Sequence, residues 1–225
     1  MRLERAAIRD LGRVLDGQLQ QVLRDLRIGK TVDEVLAGLA VRPELRAAIE
    51  GMLLRAIDLG VIGAEATLGV GIDWTLANIA ARDWASQYSY QLVTGINDTT
   101  RRVLQKAVAR RIETGMPLKE LVKELSPYFG KRRASLLAST ETTRAYATAN
   151  LEAFRQNGTE YVRWNTANDE LVCPRCAPLN GVIITLGNGF PGGFLHPPAH
   201  PRCRCWITPS QGASNATRVG GQRYG

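Results

Sequence analysis

All four cysteines and both histidines of this 225-residue chain lie between positions 173 and 205. The first two cysteines form the sequence Cys173-Pro-Arg-Cys176, a spacing that lets two thiolates turn onto one ion. The sequence His200-Pro-Arg-Cys203-Arg-Cys205 supplies further soft donors, and Pro201 favours a turn after His200. Because metal-binding side chains lie at both ends of the segment 173–205, we expect the segment to fold with these ends close together.

These donors can converge on one tetrahedral site for a structural zinc ion, with Zn–S distances of about 2.3 Å. In an extended segment Cys203 and Cys205 point to the same face, because side chains alternate with a period of two residues, and Arg204 points away. We expect the zinc ligands to be Cys173, Cys176, Cys203 and Cys205, or His200 in place of one of the last two.

The size of the C-terminal module gives a physical reason for a metal. A module of roughly 60 residues with three short strands buries too little apolar surface to be comfortably stable alone. Zinc binding would supply the missing free energy of folding. The sequence leaves open a disulfide pair, free structural cysteines, and redox chemistry at the CxxC. His196 is typical of a loop residue rather than a ligand.

Apolar residues recur at three- and four-residue steps through the first two-thirds of the chain, which predicts one helix after another. Gly29 ends the first helix, and Thr31 with Glu34 forms a capping box at the start of the second. Pro43 suits the first turn of the third helix. A Gly-rich break is expected over residues 60–71.

Later helices are predicted by capping residues and by Pro and Gly. Asp73 is a good N-cap for one helix, and Asn97 or Asp98 for the next. Pro117 opens a short helix, and the last helix is expected over about residues 131–156.

After Gly158 the pattern changes to that of strands. Residues 160–166 alternate and are rich in Tyr, Val, Trp and Thr, and residues 182–186 and 205–208 are similar. The predicted class is therefore α+β and mainly α. We expect an elongated helical N-terminal region (1–96), a small domain with a long helix, a short β-sheet and a Cys/His knuckle (97–209), and a flexible tail (210–225).

A net charge of +8 favours a polyanionic partner, because Lys and Arg release counterions from phosphate backbones. The pattern predicts non-specific electrostatic contact with DNA rather than base readout, since no recognition helix is evident. The candidate contacts are the clustered cations Arg101, Arg102, Arg110, Arg111, Lys131, Arg132 and Arg133.

No run approaches the roughly 20 apolar residues that span a bilayer, and the N-terminus has no apolar signal core. We therefore expect a soluble protein made in a cytoplasm, with no membrane partner.

The enzyme classes that use similar motifs fit poorly. A zinc deaminase needs a His-x-Glu before its cysteine pair, whereas both histidines here follow it. HExxH, GxSxG and Walker motifs are absent from the sequence. We expect no catalytic residues and no small-molecule substrate. The alternatives left open are a nuclease that uses His200 as general base beside a structural zinc, and a non-catalytic DNA-binding module.

Several stretches occur in an order that resembles the phage head morphogenesis family, the minor head proteins similar to the F protein of phage Mu. The resemblance covers about residues 100 to 209. The stretches are STETTRAYATAN (139–150), Gly158, VRW (162–164), DELVCPRC (169–176), LNG (179–181) and PPAHPRCRC (197–205). The motif positions carried over are Thr140, Glu141, Asn150, Asp169, Cys173, Cys176, His200, Cys203 and Cys205.

The resemblance implies a structural minor capsid protein that acts in head morphogenesis at the portal vertex and contributes to DNA packaging. Its expected partners are the portal protein, the major capsid protein or both, together with phage DNA. Its expected location is the phage head near the portal, after assembly in the host cytoplasm. For Thr140, Glu141 and Asn150 we expect structural roles in capping and helix packing, and for Asp169 a turn before the CxxC.

Overall fold

The computed structural model describes residues 2–40, 43–71, 74–167 and 172–211. This part of the chain is mainly helical with one small antiparallel sheet, so the predicted α+β, mainly α class is confirmed. The α-helices are α1 (Arg2–Arg27), α2 (Val32–Ala40), α3 (Pro43–Leu68), α4 (Trp74–Thr114), α5 (Leu118–Phe129) and α6 (Lys131–Gln156). The strands are β1 (Tyr161–Asn165), β2 (Ile183–Thr185) and β3 (Trp206–Ser210).

Contacts divide the chain into two units. The first unit comprises Met1–Ala56 and Ala80–Thr142, and the second comprises Ile57–Ile79 and Thr143–Gly225. Helices α3, α4 and α6 therefore contribute residues to both units. The expected division into domains 1–96, 97–209 and 210–225 stays a prediction, because contact units and independently folding domains are different properties.

The core of the first unit is built from apolar stripes on α1, α2, α4 and α5. On α1, residues at three- and four-residue steps are buried, which is the predicted stripe. Phe129, the last residue of α5, is fully buried in the same cluster. The other buried members are Leu19, Val22, Leu23, Val35, Leu36, Leu39, Leu104, Ala107, Leu121 and Leu125.

The junction of α1 and α2 follows the prediction. Gly29 has a φ of +85°, the left-handed conformation that ends a helix. The backbone N–H of Thr31 donates to Glu34 Oε2 at 2.8 Å, and the N–H of Glu34 donates to Thr31 Oγ1 at 3.3 Å. This reciprocal pair is the predicted capping box. The bond from Thr31 N–H holds the pKa of Glu34 below its ordinary value.

Asp25 is a buried carboxylate near the end of α1. It accepts a hydrogen bond from Gln21 Nε2 at 2.9 Å and pairs with Lys30 Nζ at 2.9 Å. The bond from Gln21, followed by that from Lys30, lowers the pKa of Asp25 below 3.8. A carboxyl whose pKa is lower in the folded state stabilises that state above its unfolded pKa, and the contribution disappears as the pH falls through the folded pKa.

We therefore expect Asp25→Asn to lower the free energy of unfolding at neutral pH, with a difference from wild type that shrinks below about pH 4. Urea unfolding of both proteins at several pH values measures this. A difference that stays constant down to acidic pH would show that the Asp25 charge does not contribute.

The Gly-rich break predicted from residue 60 is wrong in position, since α3 continues to Leu68 and is ended by Gly69 with a φ of +69°. The reason is helix packing in the second unit. A Cβ at Gly60 would lie 2.7 Å from Ala149 Cβ and 2.7 Å from the Tyr146 carbonyl oxygen, both on α6. Glycine here serves close contact between two helices rather than the end of one.

Gly60→Ala should therefore destabilise the protein by about 1–3 kcal/mol, because the added methyl group forces α3 and α6 apart. The matched control is Gly95→Ala in α4, where a Cβ would meet no heavy atom within 4 Å. Alanine at this control position should stabilise by about 0.5–1 kcal/mol. Urea midpoints of the two variants give the comparison, and a stable Gly60→Ala protein would mean that the contact is not tight.

The predicted helix start at Asn97 or Asp98 is also wrong, because α4 passes through these residues without interruption. The hydroxyl groups of Thr99 and Thr100 donate to the carbonyl oxygens four residues earlier, at 2.9 and 2.8 Å. Polar residues that favour caps are thus accommodated inside the helix. Asp73, the other predicted N-cap, lies outside the described residues.

The later helix boundaries agree with the sequence. Gly115 follows α4 with a φ of +67°, and Pro117 is the N-cap of α5. Helix α6 has the predicted bounds, and Gly158 follows it with a φ of +68°. Among the described helices, none combines the length and apolar character that crossing a membrane requires.

The sheet of the second unit has the order β2-β1-β3, with both pairs antiparallel. All three predicted strands are present. In the central strand Val162 and Trp164 are buried and Arg163 is exposed, as period-two alternation requires. The Trp164 ring contacts Phe190 edge-on, with centroids 5.0 Å apart. This small sheet fixes β1, which precedes the CxxC, and β3, which directly follows Cys205.

Candidate metal centre

The CxxC segment forms a tight turn beyond the end of β1. The backbone N–H of Cys176 donates to the carbonyl of Cys173 at 3.0 Å, and Ala177 donates to the same oxygen at 3.0 Å. A short 3-10 helix, Ala177–Leu179, continues from this turn. The turn brings the two sulfurs to one side of the backbone, as the spacing predicts.

The second cysteine segment is a turn that runs into β3. The N–H of Cys203 donates to the His200 carbonyl at 3.1 Å, which closes the turn expected at Pro201. Cys203 and Cys205 are buried and Arg204 is exposed, in agreement with the predicted alternation. Pairing of β3 with β1 holds this segment beside the strand that precedes the CxxC.

The structure brings all four cysteines and His200 together. Cys173 Sγ lies 3.0 Å from His200 Nε2, and Cys176 Sγ lies 3.8 Å from Cys203 Sγ. The donor atoms of Cys173, Cys176 and His200 lie within 4.8 Å of one another, and so do those of Cys176, Cys203 and Cys205. Cys176 belongs to both groups, so an ion held by both would have it as a common ligand. All four cysteines are free thiols.

The separation of one sulfur pair matches that expected in a tetrahedral thiolate site. Two sulfurs at about 2.3 Å from one zinc ion, separated by the tetrahedral angle, are about 3.8 Å apart. That is the separation between Cys176 and Cys203. His200 Nδ1 lies 2.8 Å from the Pro201 carbonyl oxygen, so Nδ1–H donates there and the Nε2 lone pair faces the thiols. Metal-bound histidines are commonly oriented by such an outer hydrogen bond.

The cavity at the cluster is small. Its volume is about 30 Å³, and its lining includes Cys173, Cys176, His200 and Cys205. A space of this size suits a single ion or water molecule rather than an organic substrate. The exposed cations Arg202 and Arg204 also line it.

Burial makes the Cys176 thiol difficult to ionise without a cation. Cys176 and Cys203 are each 2% exposed. Burial raises the pKa of Cys176 to about 12, and the hydrogen bond with Cys203 raises the pKa of Cys205. The bond from Cys205 lowers the pKa of Cys203 to about 5. The cluster thus favours one thiolate at Cys203, and a bound dication would favour deprotonation of the others.

His196 is outside both donor groups. Its Nε2 lies 3.3 Å from Thr148 Oγ1, and its Nδ1 lies 2.6 Å from the Pro197 carbonyl oxygen. Burial lowers the pKa of this imidazole. These contacts hold the loop against α6 within the second unit.

The other motif residues lie on α6 and make contacts within it or within the first unit. The hydroxyl of Thr140 donates to the Leu136 carbonyl at 2.7 Å, and Glu141 accepts a hydrogen bond from Tyr88 at 2.8 Å. Asn150 is buried, and its Oδ1 has no hydrogen-bond partner among the described residues. Asp169 lies outside the described residues.

One residue near the centre was missed by the sequence interpretation. The hydroxyl of Thr143 donates to the Cys203 carbonyl at 3.2 Å and so ties α6 to the second cysteine segment. Thr143 lies inside the motif stretch 139–150, which was the available signal. Its partner is 60 residues away, a separation that no local pattern encodes.

The structure separates the DNA-contact candidates into two sets. Arg110 pairs with Glu124 at 3.1 Å, and Arg111 donates to the Met116 carbonyl at 2.8 Å. Arg133 donates to the Tyr128 carbonyl at 2.6 Å, and burial lowers its pKa. The other set, for which we name no partner, is Arg101, Arg102, Lys131 and Arg132, and all four are exposed.

Comparison with known proteins gives one family. Residues 102–208 match the model of the family described as "Phage Mu protein F like protein". The matched segment contains every cysteine, both histidines and the three strands up to Thr208. No curated protein and no solved structure matches the chain.

Proposed function

Since residues 102–208 match the model of the phage Mu protein F like family, we propose that this chain is a structural minor head protein of a tailed bacteriophage. The observation that supports this most directly is the overlap of the family match with the convergent cysteines and His200. In this function the chain acts in head morphogenesis, as a component of the virion present in few copies.

The proposed partners are the portal protein and the major capsid protein, and the proposed place is the head near the portal vertex. The test is mass spectrometry of purified virions of the phage or prophage that carries the gene, with co-purification of the co-expressed portal protein. We expect the chain in virions at far fewer copies than the major capsid protein. Virions that lack it, together with a portal that does not retain it, would contradict the proposal.

The proposed metal is structural zinc held by the cysteine cluster. Cys173 and Cys176 would hold it from one segment, and Cys203 from the other, with Cys205 or His200 as the fourth ligand. Bound zinc cross-links the two segments and stabilises their thiolates. The protein positions these donors with the CxxC turn, the turn at Pro201 and the pairing of β1 with β3.

A non-specific contact with packaged DNA follows from the exposed cations Arg101, Arg102, Lys131 and Arg132. We expect weak binding to duplexes of arbitrary sequence, with a log–log slope of affinity against salt of about −0.9 per phosphate contact. Fluorescence anisotropy over a series of salt concentrations measures it. Binding that depends on sequence, or that does not respond to salt, would contradict a backbone contact.

The catalytic alternative is a nuclease that uses His200 as general base. His200 Nε2 lies 3.0 Å from a cysteine sulfur and its Nδ1–H is engaged by a carbonyl, so both ring nitrogens have protein partners. This arrangement favours a ligand role. Nicking of plasmid DNA by the purified chain that disappears in His200→Ala would contradict the structural function.

A further inference from the structure

A basic groove lies along α1 in the first unit, and Lys131 is the one residue of its lining that belongs to the cations singled out in the sequence. Its volume is about 620 Å³. Its lining comes from α1 and from the first residue of α6: Arg5, Ile8, Arg9, Gly12, Arg13, Asp16 and Lys131. Of these seven residues, four have cationic side chains and one has an anionic side chain.

The three arginines of the groove form a regular row. Arg5, Arg9 and Arg13 are spaced by four residues, which places them on one face of α1 with a rise of about 6 Å between neighbours. All three are exposed, whereas Leu11 and Leu15 of the same helix are buried. The helix therefore presents a repeating positive face to solvent.

The floor and the end of the groove are formed where α1 passes α6. Gly12 is buried, and a Cβ there would lie 3.8 Å from Ala134 Cβ. Ile8 adds an apolar surface beside it. Lys131 is the first residue of α6, so the partial positive charge of a helix N-terminus adds to its ammonium group.

The acidic residues nearby do not neutralise the row. Asp10 approaches Arg9 Nε at 3.5 Å and Arg13 Nη1 at 3.8 Å, and both arginines are more than two-thirds exposed. Such exposed pairs contribute little free energy and exchange readily for another anion. Asp16 is the anionic residue in the lining.

We propose that this groove binds the phosphate backbone of DNA, an assignment that rests on the proposed DNA contact and adds the arginines of α1 to it. Guanidinium groups match phosphate oxygens with two parallel hydrogen bonds, and a row of them suits a polymer with regularly repeated anionic groups. Lys131 belongs both to the groove and to the exposed DNA-contact candidates, so the two sets of cations share a residue. A duplex carries such a repeat in every sequence, whereas an acidic protein segment carries it only where its own sequence places carboxylates at regular spacing.

The experiment measures binding of the full-length chain to a short fluorescein-labelled duplex of arbitrary sequence over a range of salt concentrations. The groove variant is Arg5→Gln/Arg9→Gln. The matched control is Arg24→Gln/Arg27→Gln, which removes the same charge from exposed positions in the last turns of the same helix. Circular dichroism confirms that both variants remain folded. Polyglutamate serves as a competing polyanion.

We expect the groove variant to bind tens of times more weakly near 0.1 M salt, with a salt slope shallower by about 0.9 for each lost contact. The control should change little. Equal loss in the two variants, or none in the groove variant, would overturn the groove while leaving DNA contact by the other cations intact. Wild-type protein that binds no duplex, or a groove that prefers polyglutamate, would overturn the DNA assignment, whereas the virion test decides the head function separately.

Discussion

Cys176→Ser is expected to remove zinc from the purified chain and to unfold the three-stranded sheet. Cys176 belongs to both donor groups, so its loss breaks the site whichever fourth ligand is used. Structural zinc contributes about 10–16 kcal/mol in small modules. Even outer-shell changes weaken metal binding by about 10–100-fold, so loss of a ligand should cost more than a hundredfold. Elemental analysis measures the zinc content, and hydrogen exchange at the backbone amides of β1 measures the loss of the sheet.

The matched control is His196→Ala, which changes a histidine of the same loop that lies outside both donor groups. It should retain one zinc per chain.

The pair Cys205→Ser and His200→Ala then identifies the fourth ligand, because the variant that keeps its zinc has lost a residue that is not a ligand. A Cys176→Ser protein with full zinc content and an intact sheet would contradict the site.

Phe129→Ala is expected to destabilise the first unit by about 3–5 kcal/mol. Phe129 is fully buried at the end of α5 among apolar residues of α1, α2 and α4. Removing its ring deletes the transfer free energy of a large side chain and leaves a cavity. The zinc content should stay unchanged, because the substitution is remote in sequence from every donor. Urea unfolding followed by circular dichroism measures the loss.

Tyr128→Ala is the matched control for this core substitution. The neighbouring ring is 39% exposed, and the contact that Tyr128 makes with Arg133 uses its backbone carbonyl, which alanine keeps. We expect a change within about 1 kcal/mol. If Phe129→Ala and Tyr128→Ala lower the free energy of unfolding equally, the buried ring of Phe129 is not a main source of stability in this core.

The parts of the fold that local chemistry determines could be predicted from the sequence. The capping box at Thr31 and Glu34 needs only residues three apart, and the apolar stripe of α1 needs only helical spacing. The three strands follow from alternation within a few residues. The fold class and the bounds of α6 could therefore be predicted from the sequence alone.

The errors arose where a distant partner decides the local structure. Gly60 resembles a helix terminator in sequence, but Tyr146 and Ala149 of α6 require a small residue there. Asn97 and Asp98 resemble caps, yet the helix continues through both. Tertiary packing outweighs the weak preference of Gly, Asn and Asp for the ends of helices.

The candidate site shows the same division. The CxxC spacing and the period-two alternation predicted that the two cysteine side chains of each segment point to one side. Both patterns depend only on residues that are close in sequence. The hydrogen bond from Thr143 to Cys203 depends on tertiary structure and was missed. The row of Arg5, Arg9 and Arg13 was visible as a helical repeat, but its groove depends on α6.

X-ray absorption at the zinc K-edge of the full-length chain, combined with its metal stoichiometry, shows whether the two cysteine segments share one ion. We expect one zinc per chain bound by three or four sulfurs at about 2.3 Å, with any nitrogen at about 2.0 Å. A folded chain that carries no metal and has four reactive thiols or two disulfides would contradict it.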